Sequence, residues 1–220
     1  VNQASVHVDN AVAQNKEYDR TNAATITGAV LRNADIVAGD VITLGNASTG
    51  TFAQSTKGNG IGVSTSMTLD GASKNNYTLI TPTGLVANIT AKPLTILGTF
   101  TSDDKIYDGL VEAAITTSNL SLSGIISGDV VGLNTLAVFA DPDKGLNKTV
   151  SLTSSTLEGV NAGNYSLNFT GAPTTTASIS TKELTVSGGF TALHKVFDNT
   201  TSASINNVTL TLNGVLPGDD

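Results

Sequence analysis

The feature that most constrains this chain is an internal repeat with a period of 89 or 90 residues. Three four-residue motifs, which we call tetrads, occupy residues 16–19, 105–108 and 195–198 and read Lys-Glu-Tyr-Asp, Lys-Ile-Tyr-Asp and Lys-Val-Phe-Asp. In each copy, the aspartate of a Gly-Asp pair follows the tetrad aspartate by 21 residues. The same spacing of 21 residues in all three copies indicates tandem repeat units rather than chance. The aspartates of the Gly-Asp pairs are Asp40, Asp129 and Asp219.

Other landmarks keep the same register in the two complete copies. Each contains a Lys-Gly pair, then an Asn-Tyr pair, and closes with Ile-(Thr/Ser)-(Ala/Thr)-Lys at residues 89–92 or 179–182. The period is too long for a solenoid coil and suits a small independent domain. We therefore predict units at residues 1–92, 93–181 and 182–220. The third unit is too short to complete a core, and we expect it to be disordered, paired with a neighbour or swapped.

The residue pattern predicts an all-β fold. Thr, Val and Ile are abundant, charged residues make up only 13% of the chain, and Ile61, Val63 and Met67 alternate with small polar residues. We predict that each unit is a small Ig-like β-sandwich. Because no Gly/Ser linker separates the units, we expect an extended, semi-rigid rod. The alternative is a β-grasp-like unit with one short helix, for which residues 110–117 are the most helix-tolerant segment.

Composition and missing motifs exclude several functions. A net charge of −7 disfavours nucleic acid, which requires clustered Lys and Arg. The sequence lacks an apolar run of the ~20 residues that span a bilayer, so we predict no membrane insertion. His7 and His194 lie far apart, and the sequence has neither a Gly-x-Ser-x-Gly elbow nor a phosphate-binding loop. We therefore predict that the chain is not an enzyme.

The repeated positions are predicted to be structural. Tyrosines at equivalent places in each unit suit packing, with the hydroxyl bonded to a polar group. The tetrad aspartates are expected to brace a turn by bonding the tetrad lysine or backbone N–H groups. The predicted structural residues are Lys16, Tyr18, Asp19, Asp40, Tyr77, Lys105, Tyr107, Asp108, Gly109, Asp129, Asn164, Tyr165, Lys195, Phe197, Asp198 and Asp219.

Four further aspartates are candidate calcium ligands, because Ca²⁺ binds oxygen donors in flexible geometry. They are Asp103, Asp104, Asp141 and Asp143. The sequence contains no Asp-x-Asp-x-Asp-Gly loop, and Asp is favoured in turns for its own backbone bonding. We therefore predict no cofactor, with calcium at domain joints as the alternative.

The second copy resembles a known family at several points. It combines Lys-x-Tyr-Asp-Gly at residues 105–109, Gly-Asp at 128–129 and Gly-Val-Asn-Ala-Gly-Asn-Tyr at 159–165. This combination resembles the YDG domain, a repeat of large bacterial exoproteins similar to filamentous haemagglutinins and other secreted adhesins. Arg20 and Asn199 stand where the motif has glycine.

The resemblance implies an extracellular, cell-surface protein whose partners include further copies of the same repeat. It implies neither a catalytic site nor a defined ligand. We expect the repeats to form a structural stalk or spacer that holds an adhesive region away from the cell. The alternative is that each repeat weakly binds a glycan, a matrix protein or a neighbouring cell, with affinity gained through multivalency.

Overall fold

A computed structural model describes residues 2–219. Within this range the regular structure is β-strand, apart from three single 3-10 turns at Asn33–Asp35, Lys74–Asn76 and Ala162–Asn164. The all-β prediction is therefore confirmed. Residues 110–117 contain strands rather than the helix of the alternative fold. No helix in the described range is long and apolar enough to cross a membrane.

The strands are short and follow the same order in each repeat. In the first repeat they are β1 (Ala4–Asp9), β2 (Val12–Ala13), β3 (Lys16–Glu17), β4 (Ala23–Thr27), β5 (Val30–Leu31), β6 (Thr43–Gly45), β7 (Thr49–Phe52), β8 (Gly58–Thr65), β9 (Thr68–Asp70), β10 (Tyr77–Ile80) and β11 (Val86–Thr90). In the second they are β12 (Lys92–Leu97), β13 (Phe100–Ser102), β14 (Lys105–Ile106), β15 (Glu112–Ala113), β16 (Ile115–Ser118), β17 (Ser121–Ser123), β18 (Gly132–Asn134), β19 (Ala137–Phe139), β20 (Gly145–Ser151), β21 (Thr156–Glu158), β22 (Tyr165–Asn168) and β23 (Thr175–Ser180). In the third they are β24 (Thr185–Ser187), β25 (Thr191–Ala192), β26 (Ile205–Asn206) and β27 (Thr211–Asn213).

Most equivalent strands pair in the same way in the first two repeats, although β13 and β16 form a separate two-stranded sheet in the second. In the first, β1 lies between β10 and β5, β6 pairs with β9, and a larger sheet has the order β2-β4-β7-β8-β11-β3. In the second, β12 lies between β22 and β17, β18 pairs with β21, and a larger sheet has the order β14-β23-β20-β19-β15. The sequence repeat is therefore also a repeat of topology.

The Ig-like sandwich is not confirmed, because parallel pairs occur in both repeats. Strands β1 and β10 run parallel, with Ala4 opposite Tyr77, and β12 and β22 run parallel, with Lys92 opposite Tyr165. Strands β3 and β11 are also parallel. The sheets of an immunoglobulin sandwich are antiparallel throughout.

The alternating stretch that begins at Ile61 supplies two sheets rather than one strand. Ile61 and Val63 are buried within β8, as period-two alternation predicts. The chain leaves β8 after Thr65, and Leu69 lies in β9, which pairs with β6. One continuous alternating stretch of sequence therefore contributes strands to two different sheets.

The chain forms two compact units whose limits differ from those of the sequence repeats. Unit 1 comprises the chain to Leu97 with residues 121–134 and 156–171, and unit 2 comprises residues 98–120, 135–155 and the chain from Ala172. Unit 1 thus contains the first repeat and five strands of the second. Its buried core is Val8, Tyr18, Ala24, Ile26, Phe52, Ile61, Val63, Met67, Ala87, Ile89, Leu94 and Tyr165.

Both sequence repeats contribute side chains to this core. Leu94 and Tyr165 belong to the second repeat, yet they share one apolar cluster with side chains of the first. Unit 2 buries its own set of side chains, which includes Phe100, Phe139 and Ile179. It also contains the third repeat, in which β24 pairs with β27 and β25 pairs with β26.

Candidate functional site: joints between repeats

Each tetrad forms a loop closed by its own lysine and aspartate. Lys16 Nζ lies 2.7 Å from Asp19 Oδ1 and 2.8 Å from the carbonyl oxygen of Thr21. The same Asp19 oxygen accepts the backbone N–H of Thr21 at 2.8 Å. Burial acts to raise the pKa of Asp19, but the hydrogen bonds from Lys16 and Thr21 outweigh it and lower that pKa. This is the turn-bracing arrangement that the repeated spacing predicts.

The other two tetrads close in the same way. Lys105 Nζ lies 2.7 Å from Asp108 Oδ1, and Lys195 Nζ lies 2.9 Å from Asp198 Oδ1. The residue after the aspartate has a left-handed backbone in all three loops, with φ of 68° at Arg20, 76° at Gly109 and 60° at Asn199. Glycine adopts this conformation without the steric cost that a Cβ atom imposes.

The loop of the first repeat places Tyr18 against the Gly-Asp pair of the second repeat. The Tyr18 backbone N–H donates to the Thr90 carbonyl oxygen at 2.9 Å, which fixes the tyrosine beside β11. Its hydroxyl donates to Asp129 Oδ2 at 2.9 Å, although the two residues are 111 positions apart. Tyr18 is only 3% exposed. A tetrad tyrosine therefore bonds the next repeat rather than its own.

The Asn-Tyr pair of the second repeat completes this contact. The Tyr165 hydroxyl donates to the same Asp129 Oδ2 at 2.6 Å and accepts the backbone N–H of Ile126 at 3.1 Å. The rings of Tyr18 and Tyr165 meet edge to face, with centroids 5.4 Å apart. We call Tyr18, Asp129 and Tyr165 the first joint. Its two hydroxyls converge on one carboxylate oxygen.

The first joint buries a negative charge beside one cation. The Asp129 side chain is 1% exposed, and its Oδ1 lies 3.4 Å from Arg20 Nε without a hydrogen-bond partner in the described residues. Arg20 Nη1 also donates to the Ser127 carbonyl oxygen at 2.6 Å. Gly128 has a φ of 89°, a left-handed backbone conformation that glycine adopts without the steric cost of a Cβ atom. Partial neutralisation by Arg20 offsets the cost of burying the carboxylate.

Burial and the Asp129 carboxylate keep both tyrosines protonated. Burial, followed by the hydrogen bond to Asp129, raises the pKa of Tyr18 to about 12. The same two causes raise the pKa of Tyr165. Because an ionised phenol would place a second negative charge beside Asp129, the joint requires neutral hydroxyls.

A second pair of landmarks also meets across the repeat boundary within unit 1. The Asn164 side chain is buried, and its Oδ1 accepts the backbone N–H of Lys57 at 2.9 Å. Lys57 belongs to the Lys-Gly pair of the first repeat, and Asn164 belongs to the Asn-Tyr pair of the second. The repeated landmarks are therefore the points at which neighbouring repeats touch.

Two partial versions of the joint occur elsewhere in the chain. In unit 1, the Tyr77 hydroxyl donates to Asp40 Oδ2 at 2.8 Å and accepts the Val37 N–H at 2.9 Å. The Val37 bond acts to lower the pKa of Tyr77, but burial and Asp40 raise it overall. In unit 2, the Tyr107 hydroxyl donates to Asp219 Oδ1 at 3.0 Å, and this bond is the main cause that raises the pKa of Tyr107.

We call Tyr107 and Asp219 the second joint. It again links a tetrad tyrosine to the Gly-Asp pair of the following repeat. Tyr107 of the second repeat and Asp219 of the third therefore contact each other within unit 2. The third tetrad has Phe197, which carries no hydroxyl and is 88% exposed.

The four candidate calcium ligands do not form one cluster within the described residues. Asp141 is ion-paired with Lys148 and accepts the backbone N–H of Asp143 at 3.0 Å. Asp104 accepts the backbone N–H of Ser178 at 2.6 Å, and the Asp103 N–H donates to the Ala114 carbonyl oxygen. Within residues 2–219, no three His, Cys, Asp or Glu side chains are grouped to hold a metal ion.

The sequence did not single out Arg20 or Lys57 as contact residues. Arg20 replaces the glycine that the motif has at this position. A large cationic side chain at a position with a left-handed backbone is a signal that the side chain makes a specific contact. Lys57 acts through its backbone N–H, which leaves no trace in residue type. His7 Nδ1 lies 2.8 Å from Asp35 Oδ2 in unit 1.

The fold and the joints define a class: an all-β chain in which tetrad tyrosines bond the aspartate of the Gly-Asp pair one sequence repeat further on. The chain belongs to the YDG domain family, whose model matches it twice, over residues 2–84 and 90–177. Comparison with the curated proteins and comparison with the solved structures each gave no match.

Proposed function

We propose that these repeats are stalk or spacer modules of a large bacterial cell-surface adhesin similar to filamentous haemagglutinins. In this role they hold an adhesive region away from the cell. A stalk of this kind must resist bending and separation of its repeats, so each repeat must be held firmly by the next.

The first joint is the observation that carries the proposal. Two hydroxyls from different repeats share one buried carboxylate oxygen at 2.9 and 2.6 Å. Leu94 and Tyr165 of the second repeat lie in the apolar core of the first. A flexible string of binding modules has no need for such contacts, because multivalency requires only that each module can reach its ligand.

The joints use the family landmarks, which also supports a spacer. The tetrad tyrosine, the Gly-Asp aspartate and the Asn-Tyr tyrosine are all engaged at the first joint. An internal role for these three residues at the first joint explains their presence without a ligand, and this supports a spacer.

The test replaces one period in the full-length parent protein. Deletion of residues 4–91 preserves register, because Ala4 and Lys92 begin equivalent strands. We expect adhesion by cells to fall after the deletion and to recover when an unrelated folded spacer of equal length takes its place. Failure of the unrelated spacer to restore adhesion, together with saturable binding of the chain to a glycan or matrix protein, would establish the repeats as binding modules.

A further inference from the structure

Among the described residues, each parallel ladder joins a strand near the start of a repeat to a strand near its end. In the first repeat, β1 pairs with β10 and β3 pairs with β11. In the second, β12 pairs with β22 and β14 pairs with β23. We call β1–β10 and β12–β22 the outer ladders, and β3–β11 and β14–β23 the inner ladders. Each of the four lies within one compact unit.

The direction of the strands decides how a ladder responds when the chain is pulled from its two ends. Tension reaches the earlier strand at its N-terminal end and the later strand at its C-terminal end. In a parallel pair these two points lie at opposite ends of the ladder, so the strands are drawn past each other and their bonds are loaded together, in shear. In an antiparallel pair the two points lie side by side, and the bonds open one after another.

The outer ladders contain buried side chains. Val6 lies opposite Leu79 in the first repeat, and Leu94 lies opposite Leu167 in the second. Val6 and Leu94 are both 0% exposed. Backbone hydrogen bonds beside such side chains are strengthened by the apolar surroundings and shielded from competing water. The outer ladders are therefore suited to bear a load.

The inner ladder of the first repeat is short, and neighbouring bonds extend it. Strands β3 and β11 pair over two residues each. Before the ladder, Asn15 Oδ1 accepts the backbone N–H of Asn88 at 2.7 Å. After it, the Tyr18 N–H donates to the Thr90 carbonyl oxygen at 2.9 Å. Thr90 Oγ1 also donates to the Lys16 carbonyl oxygen at 3.2 Å, so side chains and backbone together join the two strands.

The inner ladder of the second repeat has the same set of bonds. Asp104 Oδ1 accepts the backbone N–H of Ser178 at 2.6 Å. The Tyr107 N–H donates to the Ser180 carbonyl oxygen at 2.9 Å, and Ser180 Oγ donates to the carbonyl oxygen of Lys105 at 3.3 Å. Asp104 thus takes the position of the asparagine that precedes the inner ladder of the first repeat. Because the arrangement occurs in both compact units, it is a property of the repeat.

We propose that the parallel ladders are mechanical clamps, which keep each repeat folded when the chain is under tension along its length. Tension loads the outer and inner ladders of a repeat in shear, and the repeat extends only when a whole ladder yields. The inference goes beyond the proposed stalk function, because repeats that themselves bind a ligand are also pulled through their two ends. The deletion experiment measures adhesion and the test below measures force on single molecules, so either idea can fail alone.

The test is single-molecule force spectroscopy of the whole chain, pulled in matched directions. The chain has no cysteine, so a pair of introduced cysteines fixes the points at which force is applied. Asn2→Cys with Thr81→Cys pulls β1 and β10 from opposite ends and loads the outer ladder in shear. Asn2→Cys with Asn75→Cys pulls the same two strands from one end and unzips the ladder.

The inner ladder has an equivalent pair of directions. Gln14→Cys with Ala91→Cys pulls β3 and β11 from opposite ends, in shear, and Gln14→Cys with Thr83→Cys pulls them from one end. Within each pair of directions one attachment point is shared and the strands are the same. A difference in force therefore reports the direction of loading and not the stability of the chain.

We expect the first rupture at a fixed loading rate to require about twofold or more force in shear than in unzipping at both ladders, because the paired residues share the load only in shear. Equal rupture forces in the two directions, at either ladder, would overturn the proposal. A lower force in shear than in unzipping would also overturn it, since the parallel arrangement would then offer no resistance to tension along the chain.

Discussion

Replacing Asp129 with alanine should destabilise unit 1 far more than the equivalent change at Asp40. Asp129 Oδ2 accepts two buried hydroxyls, from Tyr18 and Tyr165. The alanine variant leaves both hydroxyls without that acceptor, in a site from which water is excluded. Asp40 accepts a single hydroxyl, from Tyr77, and is itself only half-buried.

The magnitude follows from those contacts. Each hydrogen bond to a charged acceptor contributes about 1.5–3 kcal/mol. The loss of two such bonds costs about 3–6 kcal/mol in total. Part of this cost is offset, because the variant no longer has to bury a carboxylate that is 1% exposed. We expect Asp129→Ala to lower the free energy of unfolding by about 2–4 kcal/mol and Asp40→Ala by about 1 kcal/mol.

The assay is urea unfolding monitored by tyrosine fluorescence and by circular dichroism. Because the two compact units can unfold separately, hydrogen exchange should assign each transition to unit 1 or unit 2. Equal losses for the two variants would refute the reasoning, since the buried joint would then contribute nothing beyond an ordinary tyrosine–aspartate bond.

Three further predictions concern the joint and the tetrads. Because folding raises the pKa of Tyr18 from an ordinary value near 10 to about 12, its contribution to stability is complete below pH 10. That contribution should be lost as the pH rises to 12. Urea unfolding midpoints measured across this pH range should fall less for Tyr18→Phe than for the unmodified chain. Arg20→Ala and Arg20→Gly both lose the bond to Ser127, but only alanine has a Cβ atom in the left-handed conformation of this position. Thermal denaturation should therefore show Arg20→Ala to be less stable than Arg20→Gly by about 1 kcal/mol. Lys105→Met should destabilise unit 2 by about 1–2 kcal/mol in urea and more than Lys195→Met, because the Lys105 side chain is 18% exposed and that of Lys195 is 38% exposed.

The all-β class of the fold and the local bonding within each tetrad could be predicted from the sequence. Alternation around Ile61 and the scarcity of helix-favouring residues predicted an all-β chain, and the fixed interval from Asp108 to Asp129 marked both residues as structural. The tetrad loop could be predicted as well, because Lys105 and Asp108 interact at short range. Local contacts of this kind follow from spacing alone.

The partners of the tyrosines could not be predicted from the sequence. Asp40 and Asp129 occupy equivalent positions in the first and second repeats. Either aspartate could therefore be the partner of Tyr18 as far as the repeat pattern shows. Periodicity therefore cannot distinguish contacts within a repeat from contacts between repeats. The parallel pairing of β1 with β10 was hidden for a related reason, since alternation gives the face of a side chain and not the direction of the neighbouring strand.

A double-mutant cycle on Tyr18→Phe and Asp129→Asn tests most directly the central claim that a tetrad tyrosine bonds the following repeat. The account predicts a coupling energy of about 1–3 kcal/mol from the free energies of unfolding of unit 1. The control cycle on Tyr18→Phe and Asp40→Asn should give additive effects, within about 0.5 kcal/mol, because the Tyr18 hydroxyl bonds Asp129. Additivity in the first cycle, or coupling to Asp40 in the second, would contradict the account.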